Sequence, residues 1–163
     1  MHTVDDLRVI GGRADDGQGP PITRHESMAL IEASHDFCDV VVADLGPLTQ
    51  IEGGLVREFD TLILVGAGNP VGVARLIKTA DRVSAVSPGQ SVLAAVNMTR
   101  PRSGYEAAEV LGELGKALPS LPVITLPFDK KLAQSAWDGT AQSGSRYAVA
   151  VRSMAEVVVR SLS

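Results

Sequence analysis

Residues 39–46 read Asp-Val-Val-Val-Ala-Asp-Leu-Gly, and this unbroken β-branched run ending in an acid narrows the available folds more than any other stretch. Val40, Val41 and Val42 are stiff at χ1 and favour strand over helix. A strand with one wet face alternates apolar and polar residues. One that is apolar throughout is buried on both faces, as in parallel sheets covered by helices. Runs at 61–65 (TLILV), 91–97 (SVLAAVN) and 122–127 (PVITLP) share the property, and Leu7-Arg8-Val9-Ile10 is a shorter candidate closed by Gly11-Gly12.

Between these runs lie segments of helical period. Thr23 or Ser27 is placed to cap a helix carrying Met28, Leu30, Ile31 and Phe37. Pro70 fits the first turn of a helix with Val73, Leu76, Ile77 and Ala80 on one side, closed by Ser87-Pro88-Gly89. Residues 105–118 place Ala108, Leu111, Leu114 and Leu118 on one stripe, and Phe128 to Ala136 reads as a short helix or turn. Residues 147–162 point Val151, Met154, Ala155 and Val158 inward and Arg152, Glu156 and Arg160 outward. A piece carrying Leu48, Ile51, Leu55 and Val56 is expected to be broken by Gly53-Gly54. Residues 13–21 (RADDGQGPP), the basic segment 98–104 with Arg100 and Arg102, and the Gly/Ser-rich segment 138–145 read as loops, the first of them mobile. Strands alternate with helices and no β-hairpin signal appears. The expected fold is α/β: a three-layer αβα domain spanning 1–163, with a mostly parallel sheet of about five strands.

The bulk composition agrees. A chain of 163 residues with 45% hydrophobic content is long enough for one buried core, and with 4% aromatics that core must be Val, Leu, Ile and Ala. A net charge of −4 argues against general nucleic-acid binding through the overall field. Cys38 is alone, so no internal disulfide forms; it precedes an apolar run and reads as a packed thiol in a reducing, cytoplasmic setting. No apolar run approaches the roughly 20 residues that span a bilayer, and Asp5 and Asp6 stand where a secretory signal would be apolar. Any membrane association is expected to be peripheral, through partners. His2, His25 and His35 lack metal-ligand spacing, and no Gly-x-Ser-x-Gly occurs.

Chemistry concentrates at the expected strand tips, where open parallel sheets bind ligands. Asp44 followed by Leu45 and Gly46 fits a Walker B ending, whose acid helps hold Mg²⁺ beside nucleotide phosphates; the plainer alternative is an acid capping a turn. Gly66-x-Gly68-x-x-x-Gly72 after an apolar run invites a dinucleotide-binding reading. The acid that should end the next strand is missing, however, and Asn97 stands there, so a structural strand-to-helix turn is the competing account. Gly115-Lys116 is no phosphate loop: Val110 occupies the first glycine position and Ala117 the Ser/Thr position. Asn97 offers a donor and an acceptor together, suited to a purine edge, with turn capping as its alternative. Pro127, with Phe128 and Asp129, can shape the wall of a base pocket.

Five segments, in order and interval, resemble the C-terminal two-thirds of MinD/ParA-type P-loop ATPases, the deviant Walker A group that includes CpaE-like proteins. Leu7-Arg8-Val9-Ile10-Gly11-Gly12 resembles the family's Leu-x-Val-Leu-x-Gly strand. Asp39 to Asp44 resembles its Tyr-Asp-x-Val-Ile-x-Asp Walker B segment, with Cys38 in place of the aromatic. Asp60 to Val65 resembles its Ala-Asp-x-x-x-x-Val strand. Asn97 resembles its adenine-contacting Asn, and Leu126-Pro127-Phe128-Asp129 its Ile-Pro-Tyr-Asp turn. The resemblance implies ATP and Mg²⁺ as ligands, Asp44 supporting Mg²⁺, Gly46 in the γ-phosphate switch, and Asn97, Pro127 and Asp129 around adenine. It further implies ATP-dependent dimerisation with a second copy or a related protein, and positional work such as chromosome partitioning, division-site placement, or secretion and pilus assembly.

The sequence departs from that family in one large respect. It contains no Lys-Gly-Gly-x-Gly-Lys-Thr loop, the part that holds the phosphates. The expectation is a truncated or mis-started chain, or one completed by another polypeptide, with no autonomous ATP hydrolysis. The family's missing strand is central, so the sheet should be open and prone to association. The alternative is a non-catalytic scaffold that pairs with an intact relative.

Overall fold

The computed structural model describes residues 2–4, 7–10, 23–46, 53–98, 106–138, 140 and 144–161. The expectations for 13–21, Leu48, Ile51, Arg100, Arg102 and Tyr105 lie outside these. The chain divides into two compact units, 1–44 and 45–163.

In unit 1, β1 (His2–Val4) and β2 (Leu7–Val9) pair antiparallel, with His2 opposite Val9 and Val4 opposite Leu7. This is a hairpin, against the expectation of none, and it takes 7–10 out of the parallel sheet. Helix α1 (Arg24–Ser34) begins at Thr23 with a capping box. The Thr23 hydroxyl accepts from the Glu26 N–H at 3.3 Å, and the Glu26 carboxylate accepts from the Thr23 N–H at 2.7 Å. Met28 and Ile31 are half-buried, while Leu30 and Phe37 are exposed. Phe37 instead meets Arg8, whose guanidinium donates to the Phe37 carbonyl at 2.9 Å and stands over its ring.

The bonds from Thr23, backbone first and hydroxyl second, hold the Glu26 carboxyl below the usual carboxylate range. A carboxyl lowered in the folded state contributes stability above its unfolded pKa and loses it as pH falls through the folded value. Helix α1 should therefore fray in acid. Thr23→Ala should cost about 1 kcal/mol of helix stability and flatten that acid dependence, read by amide exchange along 24–34.

Residues 40–46 form no strand. The backbone is irregular there, and Val42 is 89% exposed. β-branched residues tolerate a pleated conformation, but a ladder requires a neighbour to accept its hydrogen bonds. None is provided among the described residues, so the expected doubly buried strand is absent.

Unit 2 opens with α2 (Gly53–Val56), so Gly53-Gly54 start a helical turn where a break was expected. Then come β3 (Thr61–Ala67), α3 (Pro70–Val86), β4 (Ser91–Asn97), α4 (Ala107–Ala117), β5 (Val123–Leu126), α5 (Lys130–Asp138) and α6 (Arg146–Ser161). The strands form a parallel sheet in the order β3-β4-β5. The fold is α/β, with helices flanking a sheet of three parallel strands; the described residues show three, where about five were expected.

Strand alternation divides the sheet into two faces. On one, Leu62, Leu64, Ala94 and Val96 pack with Val73, Leu76, Ala80 and Val83 of α3 and with Val110 and Leu114 of α4. Each such Leu or Val contributes about 1.5–3 kcal/mol by leaving water. The buried stripe of α4 is Val110 and Leu114, whereas Ala108 and Leu111 are exposed. On the other face Leu93 and Ala95 are buried. Helix α6 contacts β5, and its Ser161 hydroxyl lies 3.3 Å from that of Thr61 at the start of β3. No residue of α6 is fully buried. Val151, Met154 and Val158 are half-buried as expected, and Ala155 is exposed.

Candidate functional site

The tips of the three strands are tied together by backbone hydrogen bonds. Asn97 lies in register with Ala67 of β3 and Leu126 of β5. Past the ladders, Gly68 N–H donates to the Asn97 carbonyl at 2.9 Å, and Met98 N–H donates to the Leu126 carbonyl at 2.9 Å. Gly68, Asn97 and Leu126-Pro127 thus share one edge of the sheet. Two of the expected site residues, Asn97 and Pro127, are brought to neighbouring tips. Both are half-buried. The Asn97 carboxamide makes no side-chain hydrogen bond to any described residue, and it carries a donor and an acceptor together.

Asp129 has a local role. Its carboxylate accepts from the Lys131 N–H at 2.9 Å, satisfying an amide at the start of α5. Phe128 beside it is 39% exposed.

Packing around residues 66–72 accounts for two of the three glycines there. A side chain at Gly72 would collide with the Ala67 backbone, its Cβ only 2.1 Å from the Ala67 carbonyl oxygen. One at Gly68 would run into the Met98 sulfur at 2.3 Å. The glycines let α3 and β4 close against the end of β3. Asn69 caps α3, its side-chain oxygen accepting from the Gly72 N–H at 2.8 Å. That bond takes up an amide a pyrophosphate would need. Packing and capping thus account for Gly68 and Gly72, and Asn97 rather than an acid ends β4.

Asp44 ends unit 1 with an exposed side chain, and Gly46, the second residue of unit 2, has a φ of 63°, a conformation that glycine adopts without strain. The two therefore belong to different units. Among the described residues no group of three His, Cys, Asp or Glu side chains is arranged to hold a metal.

A groove of about 440 Å³ lies at the opposite end of the strands, between Phe59-Asp60 and Ser87 to Ser91. Three of its polar side chains are engaged: Gln90 donates to the Phe59 carbonyl at 2.7 Å, Ser87 to Gln90 at 3.3 Å, and Arg57 to the Val86 carbonyl at 2.9 Å. It is a braced corner between β3 and the end of α3. Strand-tip logic places ligands at the other end.

No helix among the described residues is long and apolar enough to cross a membrane. No family model, curated protein or solved structure matches the chain.

Proposed function

We propose that residues 45–163 carry the adenine-binding side of a MinD/ParA-like ATP site, in a body without a phosphate loop of its own. Asn97 carries the reading: a carboxamide with no hydrogen-bond partner among the described residues, at the tip of the central strand and one strand from Pro127. On this reading Asp44 supports Mg²⁺ and Gly46 belongs to the γ-phosphate switch. The phosphate-holding parts come from an upstream segment or a partner of the same family. The completed protein does ATP-dependent positional work: partitioning chromosomes, placing the division site, or assembling secretion systems or pili. The sequence itself, which holds no Lys-Gly-Gly-x-Gly-Lys-Thr loop, supports a second reading, a non-catalytic scaffold that associates with an intact relative.

Equilibrium dialysis of the 163-residue chain separates the two. Recognition of the base alone predicts that adenosine and ATP bind with similar affinity and that guanosine does not compete. Asn97→Ala should weaken both by about tenfold or more, the worth of a paired hydrogen bond, and ATP should not turn over. Mg²⁺-dependent hydrolysis that disappears in Asp44→Ala would overturn the view that the chain lacks its own phosphate site. A complete failure to bind adenosine would leave the scaffold.

A further inference from the structure

The β3 side of the sheet ends unfinished in three independent respects. First, β3 pairs with β4 alone, and no strand takes its outer edge among the described residues. Second, the face away from α3 and α4 is covered unevenly. Ile63 and Val65 are 37% and 64% exposed, whereas their register partners Leu93 and Ala95 on β4 are 2% and 0% exposed. Third, α6 contacts β5 at the far side of the sheet, meets β3 at its start, where the Ser161 hydroxyl lies 3.3 Å from that of Thr61, and buries none of its own residues completely.

Edge strands that must stay single are usually blunted by Lys, Pro, a bulge or an inward charge. The strand Thr-Leu-Ile-Leu-Val-Gly-Ala has none of these. It is seven residues long, uncharged and apolar at its centre, which suits pairing rather than solvation.

We infer that β3 is the self-association edge of this protein: two copies join antiparallel along it, making one continuous six-stranded sheet across a twofold axis at Leu64. An isologous contact requires a surface that complements itself, and this strand does. About Leu64, Thr61 meets Ala67 of the second copy and Ile63 meets Val65, so the two exposed apolar residues cover each other twice. The charges agree. Asp60, immediately before β3, falls opposite Gly68 of the second copy rather than opposite its Asp60. That places the acid near the start of α3 at Pro70, where the helix dipole favours negative charge. The association involves neither Asn97 nor Pro127, so it stands apart from the nucleotide reading and needs no ligand.

Sedimentation of the full chain across a concentration series, without nucleotide, tests it. The wild type is expected to show a monomer–dimer equilibrium. Val65→Lys, which puts a charge on an exposed position of the edge, should weaken that equilibrium by at least about tenfold, while Val149→Lys on exposed α6 should leave it unchanged. A second measurement does not depend on Val65→Lys folding: Ile63→Cys with Val65→Cys, in a Cys38→Ser background, should oxidise to a covalent dimer. A wild type that is monomeric at every concentration overturns the proposal. So does a dimer indifferent to Val65→Lys, or one that Val149→Lys disrupts equally.

Discussion

Gly72→Ala is expected to cost about 3 kcal/mol, the upper end of what overpacking usually exacts, and to bring unit 2 close to unfolding. The added Cβ meets backbone, not a side chain that can turn aside: the Ala67 oxygen at 2.1 Å, with its carbon and nitrogen both at 2.8 Å. Relief requires α3 to withdraw from the end of β3. That strains the Asn69 cap on the same amide and opens the packing of Val73 and Leu76 against Leu62 and Leu64. Gly112→Ala is the matched control. It lies within α4 with nothing within 4 Å of the new Cβ, so relief of glycine's conformational entropy should raise stability by about 0.5–1 kcal/mol. Urea unfolding of the two variants beside the parent should move the midpoint in opposite directions.

Leu114→Ala should be comparably damaging, at about 2–5 kcal/mol. Leu114 is wholly buried, the largest such side chain among the described residues. It belongs to the cluster in which α3 and α4 close over one face of β3 and β4. Its neighbours are carried on regular helix and strand, which collapse poorly into a void, so the cost should fall in the upper half of that range. Leu111→Ala, one turn back on the same helix and 37% exposed, should cost far less. If thermal unfolding showed the two variants equally destabilised, the placement of the buried stripe at Val110 and Leu114 would be wrong.

That stripe shows where sequence reading stops. A helical period of 3.6 fixes which residues share a side, yet Val110 and Leu111 differ by only 100° around the axis. Both belong to apolar arcs that fit the pattern, and the partner α3 decides between them. The strands β3, β4 and β5 were legible because they are continuous apolar runs and do pair as neighbours. Residues 40–44 have the same look and form no strand, because propensity describes what a residue tolerates and not whether a ladder is offered to it. The hairpin was hidden for another reason: three-residue strands carry almost no period, and Asp5-Asp6 between them is not the Asn-Gly or Asp-Gly pair that marks a tight hairpin. At the site, Asn97 and Pro127 could be placed together because both end strands of one parallel sheet. Asp44 belongs to the other unit, at the end of a run that was expected to be a strand and is irregular backbone.

The sheet also records a direction of growth. Its strands lie side by side in the order in which the chain presents them, β3 then β4 then β5, with one helix between each pair among the described residues. Every pairing is between near neighbours in sequence, which keeps loop closure inexpensive and assembly quick. A chain emerging from its N-terminus can lay down β3, fold α3 over it, and add each later strand to the edge just completed. Growth of this kind always moves away from β3. The first strand laid is therefore the one whose outer side no later strand among the described residues returns to cover.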